Sequence, residues 1–464
     1  MSGSTTLSWV FTDPDSDSFS CTIDIGDGSE PVVIEDCSRD STLVHAFGAT
    51  GIYTPTLTVS DGAISAVASA EVTVVSWTER AKVAAADAGT NDRFGFSVSI
   101  DGDTAVVGAY LDDDAGLFSG SAYVFVRDGT TWIQQAKLTA ADAAVGDQFG
   151  YAVALSGDTV LVGSRLDDGA LSNSGSAYIF VRNGEMWTQQ AKLTASDENI
   201  DSEFGNAVSL SGDIAVVGAY LDDQHCPAVP DCDSGSAYVF ERTGVSWQQQ
   251  VKLIPSDSGA GDRFGTSVVV SGETVVVGAR LDDDAGSNSG SAYVFVREAG
   301  IWSQQAKLTA ADAAAGSEFG YAVGLDGDTV VIGSRLDDRR GSHAGSAYVF
   351  VRSGTHWSQQ AKLTAADAAV GDEFGAAVAI DEDRVVIGAP LDDDGGLNAG
   401  AAYLFVRSGD SWSELVKLTA GDASGGERFG TTVATSGSSV LIGAHLDDDG
   451  GSNTGSIYLF ENLP

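Results

Sequence analysis

The sequence predicts an all-β fold, a closed seven-bladed β-propeller preceded by a small β-sandwich. Three observations support this, and the first is a repeat marked by a Phe-Gly pair. The pair begins at Phe94, Phe149, Phe204, Phe264, Phe319, Phe374 and Phe429. Successive pairs are 55 residues apart, except for one step of 60 residues between the third and fourth. Repeated units of this kind bury their apolar faces against their neighbours in an array.

The second observation is that each copy divides into four strand-like segments. In the second copy these cover residues 149–155, 159–163, 175–182 and 187–195. Turn sequences, Ser156-Gly157-Asp158 and Asn183-Gly184-Glu185, join the first segment to the second and the third to the fourth. The strands are nearly continuous runs of apolar and small residues, as in sheets covered on both faces. Four-stranded sheets stacked around an axis make a β-propeller.

The third observation is that the two ends of the repeat region complement each other. The last copy stops at its third strand, 455–461, and lacks the Trp-containing segment that completes the other copies. An unmatched copy of that segment, 77–83, stands before the first Phe-Gly pair. We therefore expect 77–83 to pair beside 455–461, because this closes the ring and removes both exposed strand edges.

Residues 1–75 share nothing with the repeat and form the first of two predicted domains, the second being 76–464. Their short strand-like runs are broken by turn clusters at 13–17, 26–28 and 60–62, which predicts a β-sandwich. The run GIYTPTLTVSDG at 51–62, with Trp9 and His45 ahead of it, resembles a PKD-type (Ig-like) domain. That resemblance implies an extracellular spacer whose first strand is missing here.

The repeat resembles the FG-GAP family, whose propellers include the head of integrin α-subunits. The Phe-Gly pairs match the first half of the family motif, and Gly-Ala pairs match the second. These lie at Gly108-Ala109, Gly218-Ala219, Gly278-Ala279, Gly388-Ala389 and Gly443-Ala444. The resemblance covers 76–464 and implies a seven-bladed propeller. It leaves function open, because such propellers serve as adhesion heads, lectins and enzyme scaffolds.

Composition argues against some classes of binding partner. With 24 basic and 66 acidic residues the net charge is -42, which repels nucleic acid and anionic lipid. No apolar run is long enough to span a bilayer, so we expect no membrane insertion by this chain. Two local cysteine pairs, Cys21 with Cys37 and Cys226 with Cys232, predict disulfides and an oxidising compartment. The start lacks a secretory signal, so we expect a mature or truncated piece of an exported protein.

Members of the FG-GAP family often carry a calcium loop between the first two strands of a blade, but this chain has short turns such as Asp101-Gly102-Asp103 there. Its acidic residues instead follow the second strand. The predicted calcium ligands are the triple-Asp segments Asp112, Asp113, Asp114, Asp282, Asp283, Asp284, Asp392, Asp393, Asp394, Asp447, Asp448 and Asp449. Hard cations prefer clustered carboxylates and backbone carbonyls. The alternative is that these carboxylates brace their own loops and solvate the protein.

No catalytic constellation is recognisable. Three of the five histidines, His225, His343 and His445, fall in the acidic loops, where we expect solvated side chains. Each copy has one tryptophan and one lysine at fixed positions, which predicts blade packing and a structural salt bridge in each blade. The third copy alone carries an insertion, Cys226 to Cys232, which predicts a disulfide-closed finger above the acidic face.

The function predicted from these observations is a non-enzymatic, monomeric, extracellular or cell-surface binding or adhesion module. Its ligand, a protein or a glycan, is expected at the acidic loop face, with calcium as a weakly bound cofactor. One alternative is a non-catalytic or catalytic part of a secreted carbohydrate-active enzyme. In a catalytic part, two acids with pKa values moved apart would flank a pocket. The other is a structural surface protein without a ligand.

Overall fold

A computed structural model describes residues 4–8, 19–37, 42–46, 51–62, 64–70, 72–74, 76–169, 171–223 and 232–463. Every regular element in these ranges is a β-strand, which confirms the predicted all-β class. None of them holds a helix that could cross a membrane. The chain separates into two compact units, Met1–Thr78 with Glu461–Pro464 and Glu79–Phe460.

The first unit is built of eight short strands. They are β1 (Ser4–Ser8), β2 (Ser20–Asp24), β3 (Val32–Ile34), β4 (Thr42–Ala46), β5 (Gly51–Tyr53), β6 (Thr56–Ser60), β7 (Ser65–Ser69) and β8 (Val72–Val74). A four-stranded antiparallel sheet has the order β3-β2-β6-β7, while β1 pairs with β4 and β5 pairs with β8. Ile23 and Ile25 are buried, and Leu57 and Tyr53 pack against them. The alternating burial of β2 is that of a sheet with one covered face.

One of the two predicted disulfides lies in this unit. Cys21 and Cys37 are bonded, with an S–S distance of 2.04 Å, and both are buried beside Phe19. That prediction is confirmed. Cys232 in the second unit is also disulfide-bonded. Its predicted partner, Cys226, and His225 lie outside the described residues, as does the tip of the predicted finger.

The second unit consists of seven four-stranded antiparallel sheets, which confirms the predicted seven-bladed propeller. In the order in which they pair within each sheet, the strands of blades one to seven are β10 (Ser97–Asp101), β11 (Thr104–Ala109), β12 (Ser121–Asp128), β13 (Thr131–Leu138); β14 (Phe149–Ser156), β15 (Thr159–Ser164), β16 (Ser176–Asn183), β17 (Met186–Leu193); β18 (Val208–Ser211), β19 (Ile214–Ala219), β20 (Ser236–Thr243), β21 (Ser246–Leu253); β22 (Phe264–Ser271), β23 (Thr274–Ala279), β24 (Ser291–Glu298), β25 (Ile301–Leu308); β26 (Phe319–Asp326), β27 (Thr329–Ser334), β28 (Ser346–Ser353), β29 (His356–Leu363); β30 (Ala377–Asp381), β31 (Arg384–Ala389), β32 (Ala401–Ser408), β33 (Ser411–Leu418); and β34 (Thr432–Ser436), β35 (Ser439–Ala444), β36 (Ser456–Leu463), β9 (Ser76–Val83).

The ring closes as predicted. The seventh sheet has the order β34-β35-β36-β9, so the strand that precedes the first blade completes the last one. Blades one and seven are also joined directly. The Phe94 N–H donates to the Thr454 carbonyl at 3.0 Å, and the Gly102 N–H donates to Ser436 Oγ at 3.1 Å. The ring therefore has no free sheet edge at this junction.

The Phe-Gly motif is explained by the packing between neighbouring blades. Phe149 is fully buried, and its ring meets Tyr178 and Phe180 edge-on at centroid distances of 5.5 and 5.9 Å. Gly150 has φ +88°, and a Cβ there would lie 2.2 Å from the Ser121 carbonyl oxygen of the preceding blade. Only glycine fits such a close approach of two backbones.

The outer strands of neighbouring blades are joined by a hydrogen bond between a tryptophan and a residue in a β-bulge. In blade two Ile179 pairs with Ala191 and Phe180 with Gln189, so Gln190 is an extra, unpaired residue. Its side-chain oxygen accepts the Trp247 indole N–H of the next blade at 3.0 Å. The same bond joins Trp187 to Gln135, Trp357 to Gln305 and Trp412 to Gln360. These contacts confirm the predicted packing role of the tryptophans at those junctions.

Candidate functional site

The acidic loops that were predicted to bind calcium surround the repeated lysines. In blade one, Lys137 Nζ lies 2.9 Å from Asp112, 2.5 Å from Asp114 and 2.8 Å from Asp87 of the preceding blade-to-blade loop. Each of the other blades repeats the arrangement with two or three carboxylates, around Lys192, Lys252, Lys307, Lys362, Lys417 and Lys82. The predicted salt bridge in each blade is confirmed. We call each group a lysine cage.

The three aspartates of a triple-Asp loop have different roles. The first, Asp112, is 2% exposed and accepts the Tyr123 O–H at 2.7 Å as well as the lysine. The second, Asp113, accepts the Phe118 N–H of its own loop. The third, Asp114, is exposed, and its carboxylate binds the lysine. The first-Asp role recurs at Asp282, Asp392 and Asp447, the second at Asp283 and Asp393, and the third at Asp284, Asp394 and Asp449.

One group of these carboxylates is close enough to share a cation. Oxygens of Asp367, Asp392 and Asp394 lie within 4.8 Å of one another. The Lys417 ammonium is 2.9, 2.8 and 2.7 Å from the same three groups. A metal ion at that point would have to displace the lysine.

Seven inner strands line a second candidate site, the central channel. Its cavity has a volume of about 660 Å³. Each blade contributes a valine at one level, namely Val98, Val153, Val208, Val268, Val323, Val378 and Val433. The channel wall is therefore alike in every blade at this position. The end that carries the acidic loops, which we call the mouth, is different.

The blades differ from one another at the mouth. Three positions of the repeat gather there: the residue before Phe-Gly, the residue after it, and the residue that follows the second strand. In that order, blade by blade, they are Arg93, Phe96, Tyr110; Gln148, Tyr151, Arg165; Glu203, Asn206, Tyr220; Arg263, Thr266, Arg280; Glu318, Tyr321, Arg335; Glu373, Ala376, Pro390; and Arg428, Thr431, His445. Six arginines and three glutamates thus surround the channel of a chain whose net charge is -42.

On one side of the mouth, arginines are paired with glutamates. Arg335 donates to Glu318 at 3.1 Å and to Glu373 at 3.0 Å, and its guanidinium lies 4.1 Å from the Tyr321 ring centroid. Arg165 makes similar contacts with Glu203 and the Tyr151 ring. An arginine that binds two side chains through different nitrogens and stacks on a ring is held in one orientation.

On the other side, the mouth is aromatic and contains a buried histidine. Phe96 contacts Tyr110, Tyr151 and His445 at centroid distances of 4.4, 4.9 and 5.4 Å. His445 is 3% exposed, so the expected solvated side chain was wrong for this residue. Burial, together with the nearby Arg93 and Arg428, lowers the pKa of His445 to about 3. The imidazole is therefore neutral at physiological pH.

Apart from His445, the mouth residues were not singled out in the sequence, although a signal was present. In a repeated chain, positions that must fold alike carry the same residue in each copy, whereas these positions carry arginine in one blade and glutamate or glutamine in another. Six of the 24 basic residues fall on them. An alignment of the seven copies with one another would have found these three positions. Comparison of each copy with a motif does not find them.

A comparison with models of known protein families assigns this chain to one of them. The model of the FG-GAP repeat matches residues 77–125, 132–180, 187–240, 247–295, 302–350, 357–405 and 412–460. The chain belongs to the FG-GAP repeat family. The matched segments begin at 77, so the PKD-like resemblance of residues 1–75 gains no support from this match. FG-GAP propellers, like other repeat propellers, are typically binding modules.

Two further comparisons add little to this assignment. None of the curated proteins compared with the FG-GAP chain matches it. Among solved structures it is similar to Sqt1 of Saccharomyces cerevisiae, with 11% sequence identity over 84% of this chain and 98% of that one, at a TM-score of 0.45. A likeness that loose has no bearing on function.

Proposed function

We propose that this FG-GAP propeller is a non-enzymatic, extracellular binding module whose protein or glycan ligand is recognised at the mouth. The supporting observation is the contrast between framework and mouth. The Phe, Tyr, Lys and first Asp of the framework recur in every blade, whereas the residues at the three mouth positions do not. A rigid scaffold that varies only around one opening is the usual arrangement of a recognition surface.

The chemistry of the mouth suits recognition. Aromatic rings and arginines are the residue types that contribute most to binding energy, and here they are partly buried and held by one another. The stacked Arg335 and Tyr321 present a flat, polar-edged surface that fits a sugar ring or a peptide side chain. The Cys21–Cys37 disulfide supports an exported protein.

A hydrolytic role finds less support. Among the described residues, one carboxylate lines the cavity, Glu373, and Arg335 binds it. Glycoside hydrolysis needs two carboxyl groups on either side of the substrate. None of the loop acids whose pKa is raised or lowered lines the cavity. The pKa is raised at Asp147 and at the matching acids Asp92, Asp262, Asp372 and Glu427. It is lowered at Asp142, at the matching acids Asp87, Asp257, Asp312, Asp367 and Asp422, and at Asp337.

Ligand arrays test the proposal. Immobilised glycans and peptides are probed with the parent and with Tyr321→Thr, since the equivalent residue in blades four and seven is threonine. The proposal requires binding by the parent that falls about tenfold or more in the variant. Ile301→Thr, at an exposed position on the outer strand of blade four, is the control and should bind like the parent. Binding that is the same in all three proteins would place the ligand elsewhere.

Calcium binding at the triple-Asp loops remains a proposal, and the lysine cages limit it to weak affinity. Binding by any of these loops should still stabilise the fold by mass action, because the ion relieves repulsion among carboxylates. We expect a higher melting temperature in millimolar calcium than in EDTA at constant ionic strength. Asp392→Asn with Asp393→Asn is the control and should reduce the shift. Equal melting temperatures would remove calcium from the account.

A further inference from the structure

Within the described residues, two arginines at the mouth lack the carboxylate partner that neighbouring arginines have. Arg335 is bound by Glu318 and Glu373. Arg93 and Arg428 line the same cavity and form no ion pair with any carboxylate in the described part of the chain. Arg93 Nη1 donates to the Tyr110 hydroxyl at 3.0 Å, while its buried Nε has no hydrogen-bond partner among the residues that the structure describes. Arg428 is exposed, whereas Arg93 is half-buried, and a donor buried without a partner is costly unless a ligand supplies the acceptor.

His445 faces the same part of the cavity. It is 3% exposed, its Nδ1 has no hydrogen-bond partner among the described residues, and it lines the cavity. Buried polar atoms are nearly always bonded, so such an atom at a cavity wall marks a place for a ligand. The neutral ring offers one N–H donor beside the two positive charges.

We propose that Arg93, Arg428 and His445 form a subsite that binds one carboxylate group of the ligand. This inference rests on the proposed function, since it names the chemistry that the mouth recognises. A carboxylate gives each guanidinium an acceptor that matches its fork of donors. The mouth already contains this pairing, because Arg165 and Arg335 hold carboxylates of the chain itself at 3.0 Å.

The surroundings of the subsite define the rest of the ligand. Phe96 and Tyr151 lie beside it and cover the carbon skeleton of a ring or short side chain. The acidic loops around the mouth repel a polyanion, since their charges act over a screening distance of about 8 Å at physiological salt. We therefore infer a ligand with a single carboxylate, which an acidic sugar or an acidic peptide side chain can supply.

Calorimetry with small probes tests the subsite and shows whether an acidic sugar or an acidic peptide side chain supplies the carboxylate. The probes are sodium glucuronate and an end-blocked Gly-Asp-Gly peptide, with glucose and the matching Gly-Asn-Gly peptide as neutral counterparts and inorganic phosphate as a competing anion. The arginine side-chain Nε–H signals of the protein are followed by NMR in the same titrations. We expect one carboxylate probe to bind, to shift the Arg93 signal, and to bind more tightly than its neutral counterpart and phosphate.

Matched variants make the test specific. Arg93→Gln and Arg428→Gln place at these positions the residue that blade two carries as Gln148, so the fold should be retained, which melting curves check. Each should weaken binding about tenfold, the effect of losing one charge-assisted hydrogen bond. Arg384→Thr, which removes an arginine at the opposite end of the propeller, should leave affinity unchanged.

Three results would overturn the subsite: no binding of either carboxylate, equal binding by the glutamine variants, or tighter binding of phosphate. These are distinguishable from failure of the proposed function. An array ligand that is lost in Tyr321→Thr but retained in Arg93→Gln and Arg428→Gln would leave the mouth as the binding site and remove the carboxylate. An array ligand unaffected by any of these variants would remove both.

Discussion

Lys137 and its partners show how a single residue organises the acidic loops. Asp112 is buried, and the Lys137 ammonium group and the Tyr123 hydroxyl both bind its Oδ2 oxygen. Burial alone would raise the pKa of the neighbouring Asp87, but hydrogen bonds from Lys137 and Tyr123 hold that pKa below its ordinary value. The lysine cage thus replaces water around carboxylates that would otherwise be costly to bury.

Removing the lysine should therefore destabilise the fold more than removing an exposed aspartate. We expect Lys137→Met to lower the free energy of unfolding by about 2–4 kcal/mol, because Asp112 is left as a buried, uncompensated charge. Asp114→Gly, which copies Gly169 of blade two, should change it by no more than about 1 kcal/mol. Urea unfolding of both variants measures the difference, and equal losses would mean that the cage is only a surface ion pair.

Asp147 gives a prediction for pH dependence. Burial raises the pKa of Asp147 from 3.8 to about 6, against the lowering effect of the Ala144 N–H bond. A carboxyl whose pKa is raised by folding makes the fold less stable as the pH rises from about 4 to above 6. Asp147→Asn retains an acceptor for the N–H and should stabilise the protein by about 1 kcal/mol at pH 7.5. The gain should vanish near pH 4; a gain of the same size at both pH values would refute the charge effect.

At the scale of elements, the contact between blades depends on backbone proximity. The Phe-Gly pair of one blade sits against the Gly-Ala or Gly-Ser segment of the previous one, where a Cβ on Gly108 would lie 2.0 Å from the Gly150 carbonyl oxygen. Strands this close leave no room for side chains between them. The space between the blades further from this contact is filled by Phe149 and Tyr178. The motif is thus a packing requirement.

Two glycines of blade two allow the cost of a clash between blades to be distinguished from the cost of backbone strain. Both Gly150 and Gly157 have positive φ, +88° and +55°, but a Cβ on Gly157 meets nothing within 4 Å. Gly157→Ala should cost about 1 kcal/mol, the strain of a non-glycine residue in that region. Gly150→Ala should cost about 3 kcal/mol or more, because the Ser121 carbonyl must move. Thermal melting compares them, and similar melting temperatures would show that the two blades do not meet as closely as described.

At the scale of the whole molecule, the repeat predicted the ring because every copy must form the same blade. The count of blades, their strands and the closure by β9 followed from spacing and from the unmatched segment 77–83. The sequence predicted a salt bridge at each repeated lysine. It did not predict that the partners would be the aspartates expected to bind calcium, such as Asp112. Loop carboxylates separated in sequence, such as Asp87 and Asp112, meet only once the blades pack.

The mouth escaped prediction for a related reason. Arg93 and His445 are more than 350 residues apart and come together only when the ring closes. Within one copy, neither residue stands out, and His445 reads as an ordinary loop histidine. Its burial results from packing against Phe96 of the first blade.

The central claim, that ligand is bound at the mouth, is tested most directly by filling the mouth. Ala376 lines the cavity in a position where other blades carry the aromatic residues Phe96, Tyr151 and Tyr321. Ala376→Trp adds bulk there without touching the framework, so the melting temperature should match that of the parent. The account predicts that affinity for any ligand identified on the arrays falls about tenfold or more. Binding at full affinity by the folded variant would contradict it.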